Sequence, residues 1–218
     1  MDTSFWIERW HRRQIGFHQS EINPYLQAHW PQLGITGGAV LVPLCGKSRD
    51  MQWLKAQGHS VIGVEISRLA VNEFFNEQQI EPRVTQASRF EVWEAPGYQL
   101  LCGDFFALQA EDLQAVSAVF DRAALIALPI DLRRRYVDKL RAVLPSRAST
   151  LLVALTYPQE QMSGPPFAVD EAEVCSLYAT YKVDKLQDED VLVQLENARF
   201  KERGVEHLSE QAYRIRAG

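Results

Sequence analysis

Two short apolar runs, close together in this 218-residue chain, most constrain its fold. The first, at 39–44, reads AVLVPL, and the second, at 60–66, reads SVIGVEI. Unbroken apolar runs of this length are typical of strands that other layers cover on both faces of a parallel sheet. Each run is followed by a serine that can cap a helix and by a helical pattern, at 49–57 and at 68–79. The segment therefore predicts a β-α-β-α unit.

The rest of the chain continues to alternate strands and helices. Further strands are predicted at 90–94, 98–102, 116–120, 150–155, 181–186, 191–195 and 212–215. Helices are predicted at 4–19, from the cap Asn23 to Pro31, at 122–128, at 131–144, and after the D-x-x-E capping box at 170–173. We therefore expect an α/β fold with a mainly parallel sheet, and ligands at the carboxyl ends of its strands.

Length and composition favour a single domain, residues 1–218, that acts on a small molecule. Hydrophobic residues make up 46% of the chain and charged residues 23%, which excludes a disordered chain and a coiled coil. The net charge of −5 argues against nucleic acid or an anionic membrane as the main partner. The sequence contains no self-complementary apolar stripe, so we expect a monomer.

The cysteines Cys45, Cys102 and Cys175 stand apart from one another and from the histidines. None has the spacing of a zinc site, so no metal is expected. Sparse cysteines are typical of a reducing compartment, and the N-terminus lacks the basic-then-apolar order of a signal peptide. These features predict a cytoplasmic protein.

Glu65 is a candidate cofactor ligand, because it stands at the end of the second predicted strand, about 20 residues beyond Gly46. In nucleotide-binding α/β folds, an acid at this place accepts hydrogen bonds from both hydroxyls of a ribose. The alternative is a strand-end carboxylate that water solvates. The spacing and the strand context together favour the ribose ligand.

Gly46, in the loop CGKS, allows a tight turn and the close approach of a ligand. A phosphate-binding P-loop would need a glycine where Leu41 stands, and the three-glycine pattern of dinucleotide-binding enzymes is absent too. The loop therefore indicates a cofactor without a pyrophosphate, of which S-adenosylmethionine is the common example.

Two further groups of residues are candidates for the same pocket. Gly103 and Asp104 follow another predicted strand, where they would form an adenine pocket or, alternatively, a simple turn. Trp6, Trp10 and Phe17 form an aromatic group before the sheet. They either pack in the core or form a lid that excludes water and faces a cationic sulfonium.

Arg122 and Arg203 are candidate ligands for an anion. Arg122 follows Asp121 at the end of a predicted strand, and Arg203 lies near the C-terminus in the segment FKERG. Guanidinium groups pair well with the carboxylate of a cofactor or of a substrate. The alternative for Arg122 is an ion pair with Asp121 or Asp104, and the alternative for Arg203 is a solvated position.

Several segments of the chain match a known family. They are FWIERW at 5–10, IGFHQ at 15–19, VLVPLCGKSRDMQWLKAQGHSVIGVEIS at 40–67, CGDFFAL at 102–108, FDRAALIALP at 120–129, GPPF at 164–167 and FKER at 200–203. On these segments the chain resembles the thiopurine S-methyltransferase family in its shorter bacterial form. The long match at 40–67 is specific, and the resemblance covers nearly the whole chain.

The resemblance implies a class I, Rossmann-like methyltransferase fold. Its sheet would have seven strands, mixed but mostly parallel and flanked by helices, with an N-terminal helical lid at 1–33 and a core at 34–218. It implies S-adenosylmethionine as the methyl donor and aromatic or heterocyclic thiols, thiopurines among them, as acceptors. Some bacterial members are linked to selenium and tellurium detoxification, so such species, a halide or a small acid stay open as other acceptors.

The resemblance also implies roles for particular residues. Those implied to contact the cofactor are Trp10, Leu44, Glu65 and Arg122. Those implied to line its pocket are Trp6, Phe17 and the backbone of Gly103 and Asp104. Those on the substrate side are Phe17, Arg122 and Arg203, of which the two arginines position the acceptor.

No general base is assigned, because aryl thiols are more acidic than cysteine, whose pKa is about 8.5. A cofactor-binding protein without turnover stays open as an alternative. So does a nicotinamide-dependent oxidoreductase, against which the missing glycines argue.

Overall fold

The computed structural model describes residues 3–194 and 197–218. Its strands are β1 (Ala39–Pro43), β2 (Ser60–Glu65), β3 (Arg83–Gln86), β4 (Glu91–Ala95), β5 (Tyr98–Cys102), β6 (Val116–Arg122), β7 (Ser149–Thr156), β8 (Tyr181–Asp190) and β9 (Ser209–Ala217). Its α-helices are α1 (Thr3–His11), α2 (Pro24–His29), α3 (Asp50–Ala56), α4 (Arg68–Glu77), α5 (Ile130–Val143), α6 (Glu171–Leu177) and α7 (Ala198–Glu202).

The strands of the described residues form one sheet in the order β3-β4-β5-β2-β1-β6-β7-β9-β8. At its centre, β5, β2, β1, β6 and β7 are parallel neighbours, and antiparallel pairs lie at both edges. The chain winds outward from β1 in both directions, towards β2 on one side and β6 on the other. Ligands of open α/β sheets bind at such a switch point, outside the carboxyl ends of the strands.

The mixed, mostly parallel sheet flanked by helices is confirmed, but the expected number of seven strands is wrong, since the described residues form nine. β3 was not predicted, because its four residues, RVTQ, contain no apolar run and lie mostly exposed at the edge of the sheet. The strand predicted at 191–195 is wrong for 191–194, which form a loop, and Leu195 lies outside the described residues.

Both faces of the sheet are covered, which explains the unbroken apolar run of β1. Side chains of a strand alternate between the two faces. Leu41 accordingly joins a core beneath α5 and α6, whereas Val40 and Val42 join a second core beneath α2, α3 and α4. The central strands are thus fixed by packing on both faces, and the residues that follow their carboxyl ends are positioned by them.

The N-terminal segment departs from the prediction, because α1 ends at His11 and not at residue 19. Arg13 has a φ of 57°, in the left-handed region, where an α-helix of L-residues cannot continue. The next helix begins as predicted, since the side chain of Asn23 caps α2 by accepting from the Leu26 N–H at 3.1 Å. The non-helical residues between the two helices bring the chain across the carboxyl edge of the sheet.

The predicted helix at 122–128 is wrong as well. β6 continues to Arg122, and Ala123 then reverses the chain with a φ of 74°. Only a 3₁₀ turn at Leu125–Ala127 follows, because Pro129 prevents its extension. The sharp turn leaves Arg122 at the carboxyl end of the strand.

Candidate active site

A cavity of about 500 Å³ opens at the carboxyl edge of the central strands. Its volume is in the range of small-molecule sites. The loop after β1, the ends of β2, β6 and β7, the N-terminal segment and the region of α7 form its wall. The wall brings together these predicted residues: Trp6, Trp10, Phe17, Leu44, Gly46, Glu65, Arg122 and Arg203. Of the predicted residues, Gly103 and Asp104 lie outside the wall.

Glu65 is the last residue of β2, and only 5% of it is exposed. Its Oε2 accepts a hydrogen bond from the Gly46 N–H at 2.8 Å, and its Oε1 accepts one from the Ser67 N–H at 2.8 Å. Burial raises the pKa of Glu65, and the hydrogen bonds from Ser67 and Gly46 partly oppose this rise. An ionised carboxylate has about four acceptor positions, so Glu65 keeps the capacity to accept from a hydroxyl group of a ligand.

The loop after β1 approaches α1 so closely that a side chain at residue 46 would require Trp10 to shift. Gly46 has a φ of 52°, and a Cβ there would lie 3.0 Å from Cζ2 of Trp10. Trp10 is 2% exposed, and its ring meets that of Phe17 edge to face, with 5.6 Å between the ring centroids. Trp6 meets the same Phe17 ring edge to face, also at 5.6 Å. The aromatic group predicted from the sequence therefore forms one wall of the cavity.

Ion pairs fasten the N-terminal segment and the loop after β1 to α4. Arg13 pairs with Glu73, and the same carboxylate accepts a hydrogen bond from Nζ of Lys47 at 2.9 Å. Lys47 also pairs with Glu77, and its side chain is 8% exposed. Burial lowers the pKa of Lys47, but the hydrogen bonds to Glu77 and Glu73 outweigh burial and leave the pKa raised. The lysine of the GKS sequence thus ties two elements together, in agreement with the rejection of a P-loop.

A buried carboxylate shapes the turn that presents Arg122. Asp121 is fully buried, and its Oδ2 accepts from the Tyr136 hydroxyl at 2.6 Å while its Oδ1 accepts from the Leu125 N–H at 3.2 Å. Burial raises the pKa of Asp121 to about 6, although these hydrogen bonds oppose the rise. Across the described residues no carboxylate forms an ion pair with Arg122, so the alternative pairing with Asp121 or Asp104 is not found.

Two arginines from the region of α7 reach the cavity, and only one of them was predicted. Arg203, the predicted one, is exposed to solvent along much of its length, and its Nη1 donates to Sδ of Met162 at 3.5 Å. Arg199 lies one turn earlier, and its Nη1 would be 2.7 Å from a Cβ at Gly16. Burial lowers the pKa of Arg199, and so do the charges of Arg203 and Arg122. The i, i+4 spacing of Arg199 and Arg203 is the sequence feature that could have identified Arg199.

Gly103 and Asp104 follow β5, beside the end of β2. The Gly103 N–H donates to the carbonyl of Glu65 at 2.9 Å, and a Cβ at Gly103 would lie 2.7 Å from Cδ1 of Phe90. Asp104 is exposed and caps the following turn by accepting from the Phe106 N–H at 2.9 Å. The turn considered as the alternative is therefore present, and contact with an adenine stays a prediction.

Cys45 and His18 are also part of the cavity wall. Burial raises the pKa of Cys45 well above its usual value, so the group is a protonated thiol and not an activated nucleophile. Burial and then the charge of Lys47 lower the pKa of His18, which keeps the imidazole neutral at pH 7. Within residues 3–194 and 197–218, no three His, Cys, Asp or Glu side chains meet as a metal site, and no helix is long and apolar enough to cross a membrane.

Several solved structures with a similar fold are named as methyltransferases. A SAM-dependent methyltransferase from Anabaena variabilis has a TM-score of 0.66 at 11% identity, over 99% of this chain and 95% of that one. The 1,6-didemethyltoxoflavin-N1-methyltransferase of Burkholderia thailandensis, solved with 1,6-didemethyltoxoflavin and S-adenosylhomocysteine bound, has a TM-score of 0.63 at 15% identity, over 98% of this chain and 87% of that one. These likenesses show that the chain has the fold of class I methyltransferases, with a cavity at the switch point of the sheet.

Sequence comparison then shows the family. The model of the family described as thiopurine S-methyltransferase matches residues 1–218. A relative of that name from Pseudomonas entomophila is 50% identical over 216 residues, which are 99% of this chain and 99% of the relative. Another, from Nitrosospira multiformis, is 50% identical over 215 residues, which are 98% of this chain and 97% of the relative. The chain belongs to the thiopurine S-methyltransferase family, so the resemblance identified from its motifs is confirmed.

Proposed function

We propose that this protein transfers a methyl group from S-adenosylmethionine to the sulfur of an aromatic or heterocyclic thiol, thiopurines included. Relatives named thiopurine S-methyltransferase align with it over nearly their whole lengths, which supports this class of acceptor. One structural observation carries the proposal. A single cavity combines the buried carboxylate of Glu65, an aromatic wall and the guanidinium groups of Arg122 and Arg203.

The residues of the cavity fit S-adenosylmethionine. Glu65 keeps acceptor positions for ribose hydroxyls, and Gly46 lets a ligand approach the backbone beside it. Trp10 and Leu44 supply apolar surface, and Arg122 supplies a cation for a carboxylate. When bound, this cofactor supplies a methyl group that is already activated on a sulfonium sulfur.

On the acceptor side, the chain's task is to orient and ionise the thiol. Phe17 offers an aromatic surface to a ring, and the charges of Arg122 and Arg203 favour the thiolate form. Aryl thiols are more acidic than cysteine, whose pKa is about 8.5, so no general base is required. Good alignment of two reactants is worth about 7–11 kcal/mol, which makes positioning the main contribution of the protein.

We infer that the protein is one catalytic domain, residues 1–218, in which the lid expected at 1–33 consists of α1 and the segment after it, because α2 packs in the core. Trp10 on α1 lies against the loop after β1, and Arg13 beyond α1 pairs with Glu73 of α4. A segment held in this way excludes water from the cavity, which strengthens the electrostatic interactions inside it. Gly103 and Asp104 border the end of β2 and would contact the adenine.

We also infer that the protein works as a monomer in the cytoplasm, on a free small molecule. Its net charge of −5 gives a polyanion little attraction. The three cysteines are free thiols, as expected in a reducing compartment.

Calorimetric titration with S-adenosylhomocysteine, followed by turnover of S-adenosylmethionine with a thiopurine, tests the proposed function. We expect binding and a methylated thiopurine, detected by mass spectrometry. Binding without product would move the acceptor to another class, such as a selenium or tellurium species, which the same assay can examine. No binding would contradict the cofactor site at Glu65.

A further inference from the structure

Besides Arg9 of α1, three arginines line the cavity wall, and one of these three has no task in the proposed function. They are Arg122, Arg199 and Arg203. The charges of Arg203 and Arg122 both act on the guanidinium of Arg199, so the three cations lie near one another. Across residues 3–194 and 197–218, no carboxylate forms an ion pair with any of the three.

Arg199 is held in a defined place. Its Nη1 occupies the space that a side chain at residue 16 would need, since a Cβ at Gly16 would lie 2.7 Å away. Its guanidinium carbon also lies over the ring of Phe200, 5.0 Å from the centroid. The side chain is half-buried between α7 and the segment after α1, so the fold and not the solvent sets its position.

Among the described residues, none of the acids of the cavity wall forms an ion pair with these three arginines. Glu65 accepts two backbone hydrogen bonds, and Asp50 accepts from the Ser48 hydroxyl at 2.8 Å. Arg199 is partly removed from water without a carboxylate partner among the described residues, and the like charges near it add to the cost. An anionic group on a bound ligand would supply the missing counter-charge and reduce the repulsion between the arginines.

We propose that Arg199 determines acceptor specificity, by selecting aryl or heteroaryl thiols that carry a carboxylate in addition to the sulfur. The planar fork of a guanidinium matches the two oxygens of a carboxylate, whereas a thiolate offers one atom. The proposal rests on the proposed function, because it specifies the acceptor for the same methyl transfer. The other source of a carboxylate is the amino-acid part of the cofactor, for which Arg122 is already available.

Two matched acceptors test this role, 4-mercaptobenzoate and its methyl ester, which share the aryl thiol and differ by one negative charge. The wild-type protein should prefer the carboxylate. Arg199→Ala should lower kcat/KM for the carboxylate roughly tenfold relative to the ester, mainly through KM, because one charge-assisted hydrogen-bonded pair is lost. Arg199→Lys keeps the charge without the fork and should restore part of the preference. Lys201→Ala, on the same helix but exposed and outside the wall, should change neither acceptor.

The outcomes separate this inference from the proposed function. Equal losses with both acceptors, or no loss, would show that Arg199 has a structural role only. Weaker binding of S-adenosylhomocysteine to Arg199→Ala, titrated without acceptor, would assign the carboxylate to the cofactor and overturn the proposal. A wild-type protein that methylates both thiols equally well would overturn it too and leave the proposed function intact. A protein that methylates neither thiol would contradict both. If Arg199→Ala does not fold, Arg199→Lys tests the same loss of preference.

Discussion

Among single residues, Glu65 has the clearest expected effect, because its carboxylate is buried at the cavity with both oxygens already oriented by backbone N–H groups. We predict that Glu65→Ala weakens the binding of S-adenosylhomocysteine at least about 100-fold. The variant loses the two hydrogen bonds that the ribose hydroxyls of the ligand would donate to the carboxylate, and each hydrogen bond to a charged group is worth about 1.5–3 kcal/mol. Calorimetric titration measures the change. Glu91→Ala, on β4, removes an exposed ion pair with Arg68 of α4 and should leave the affinity unaltered. Unaltered affinity in Glu65→Ala would contradict the assignment.

Arg203 allows the roles of the cofactor end and the acceptor end to be separated. Arg203→Ala should lower kcat/KM for a thiopurine about tenfold, since one charge-assisted contact disappears, while the affinity for S-adenosylhomocysteine stays nearly constant. Steady-state kinetics and calorimetry on the same preparation check the two halves of this prediction. Equal effects on turnover and on cofactor affinity would show that the division of roles is wrong. Lys201→Ala again serves as the control on the same helix.

The sequence could identify some site residues and not others, for a physical reason. Glu65 and Arg122 end buried strands, and the carboxyl ends of parallel strands meet at one edge, so local pattern alone brings them together. Arg199 meets Gly16 and Arg122 only through tertiary packing, which one sequence does not reveal. Lys47 shows the same limit, since its partners on α4 are set by the fold.

At the scale of elements, the contact between α1 and the loop after β1 should control access to the cavity. In Gly46→Ala the new Cβ would lie 3.0 Å from Trp10, so we expect α1 to be displaced. The expected results are weaker binding of S-adenosylhomocysteine, a red-shifted tryptophan emission and faster proteolysis within α1. The matched control is Gly34→Ala, because Gly34 has a φ of 67° and nothing within 4 Å of its Cβ position.

Gly34→Ala separates backbone strain from the contact with Trp10. A left-handed conformation costs an ordinary residue about 1–2 kcal/mol, so the control should lose stability and keep its cofactor affinity. Equal affinities in the two variants would show that α1 does not depend on this contact.

The elements themselves were predictable where they are buried on both faces. β1 and β2 show as continuous apolar runs because helices cover both sides of them. β3, an exposed edge strand, exists through its pairing with β4 and has no such pattern. The end of α1 was missed for a related reason, since the left-handed turn at Arg13 follows from the packing of the segment over the sheet.

The molecule as a whole is negatively charged, whereas the wall of its cavity is rich in positive charge. The chain carries −5 overall, which predicts no polyanionic partner. The cavity wall nevertheless gathers Arg9, Arg122, Arg199 and Arg203 at the carboxyl edge of the sheet, while Lys47 is already paired with Glu73 and Glu77. A small anion is therefore attracted to the site although the molecule as a whole repels it.

The buried Asp121 links the fold to the dependence of stability on pH. Its pKa is about 6 in the folded protein, against an ordinary value of 3.8. Between these two values the folded state holds a proton that the unfolded chain has released. The contribution of Asp121 to the free energy of unfolding therefore decreases as the pH rises through this window and stays at the lower level above it.

Asp121→Asn should remove this contribution, since the amide stays neutral at every pH. We predict that the free energy of unfolding of the variant, minus that of the wild type, increases from about pH 4 to about pH 7, because one unit of pKa difference corresponds to about 1.4 kcal/mol. Urea unfolding across this range measures the difference. Burial also raises the pKa of Glu65, but its contribution is the same in the wild type and the variant and so does not affect the difference. Asp138→Asn, which removes a solvent-exposed pair with Arg141, should give a difference that stays level. A level difference for Asp121→Asn as well would mean that the folded protein does not hold the proton on Asp121, and that the turn presenting Arg122 is built on an ionised carboxylate.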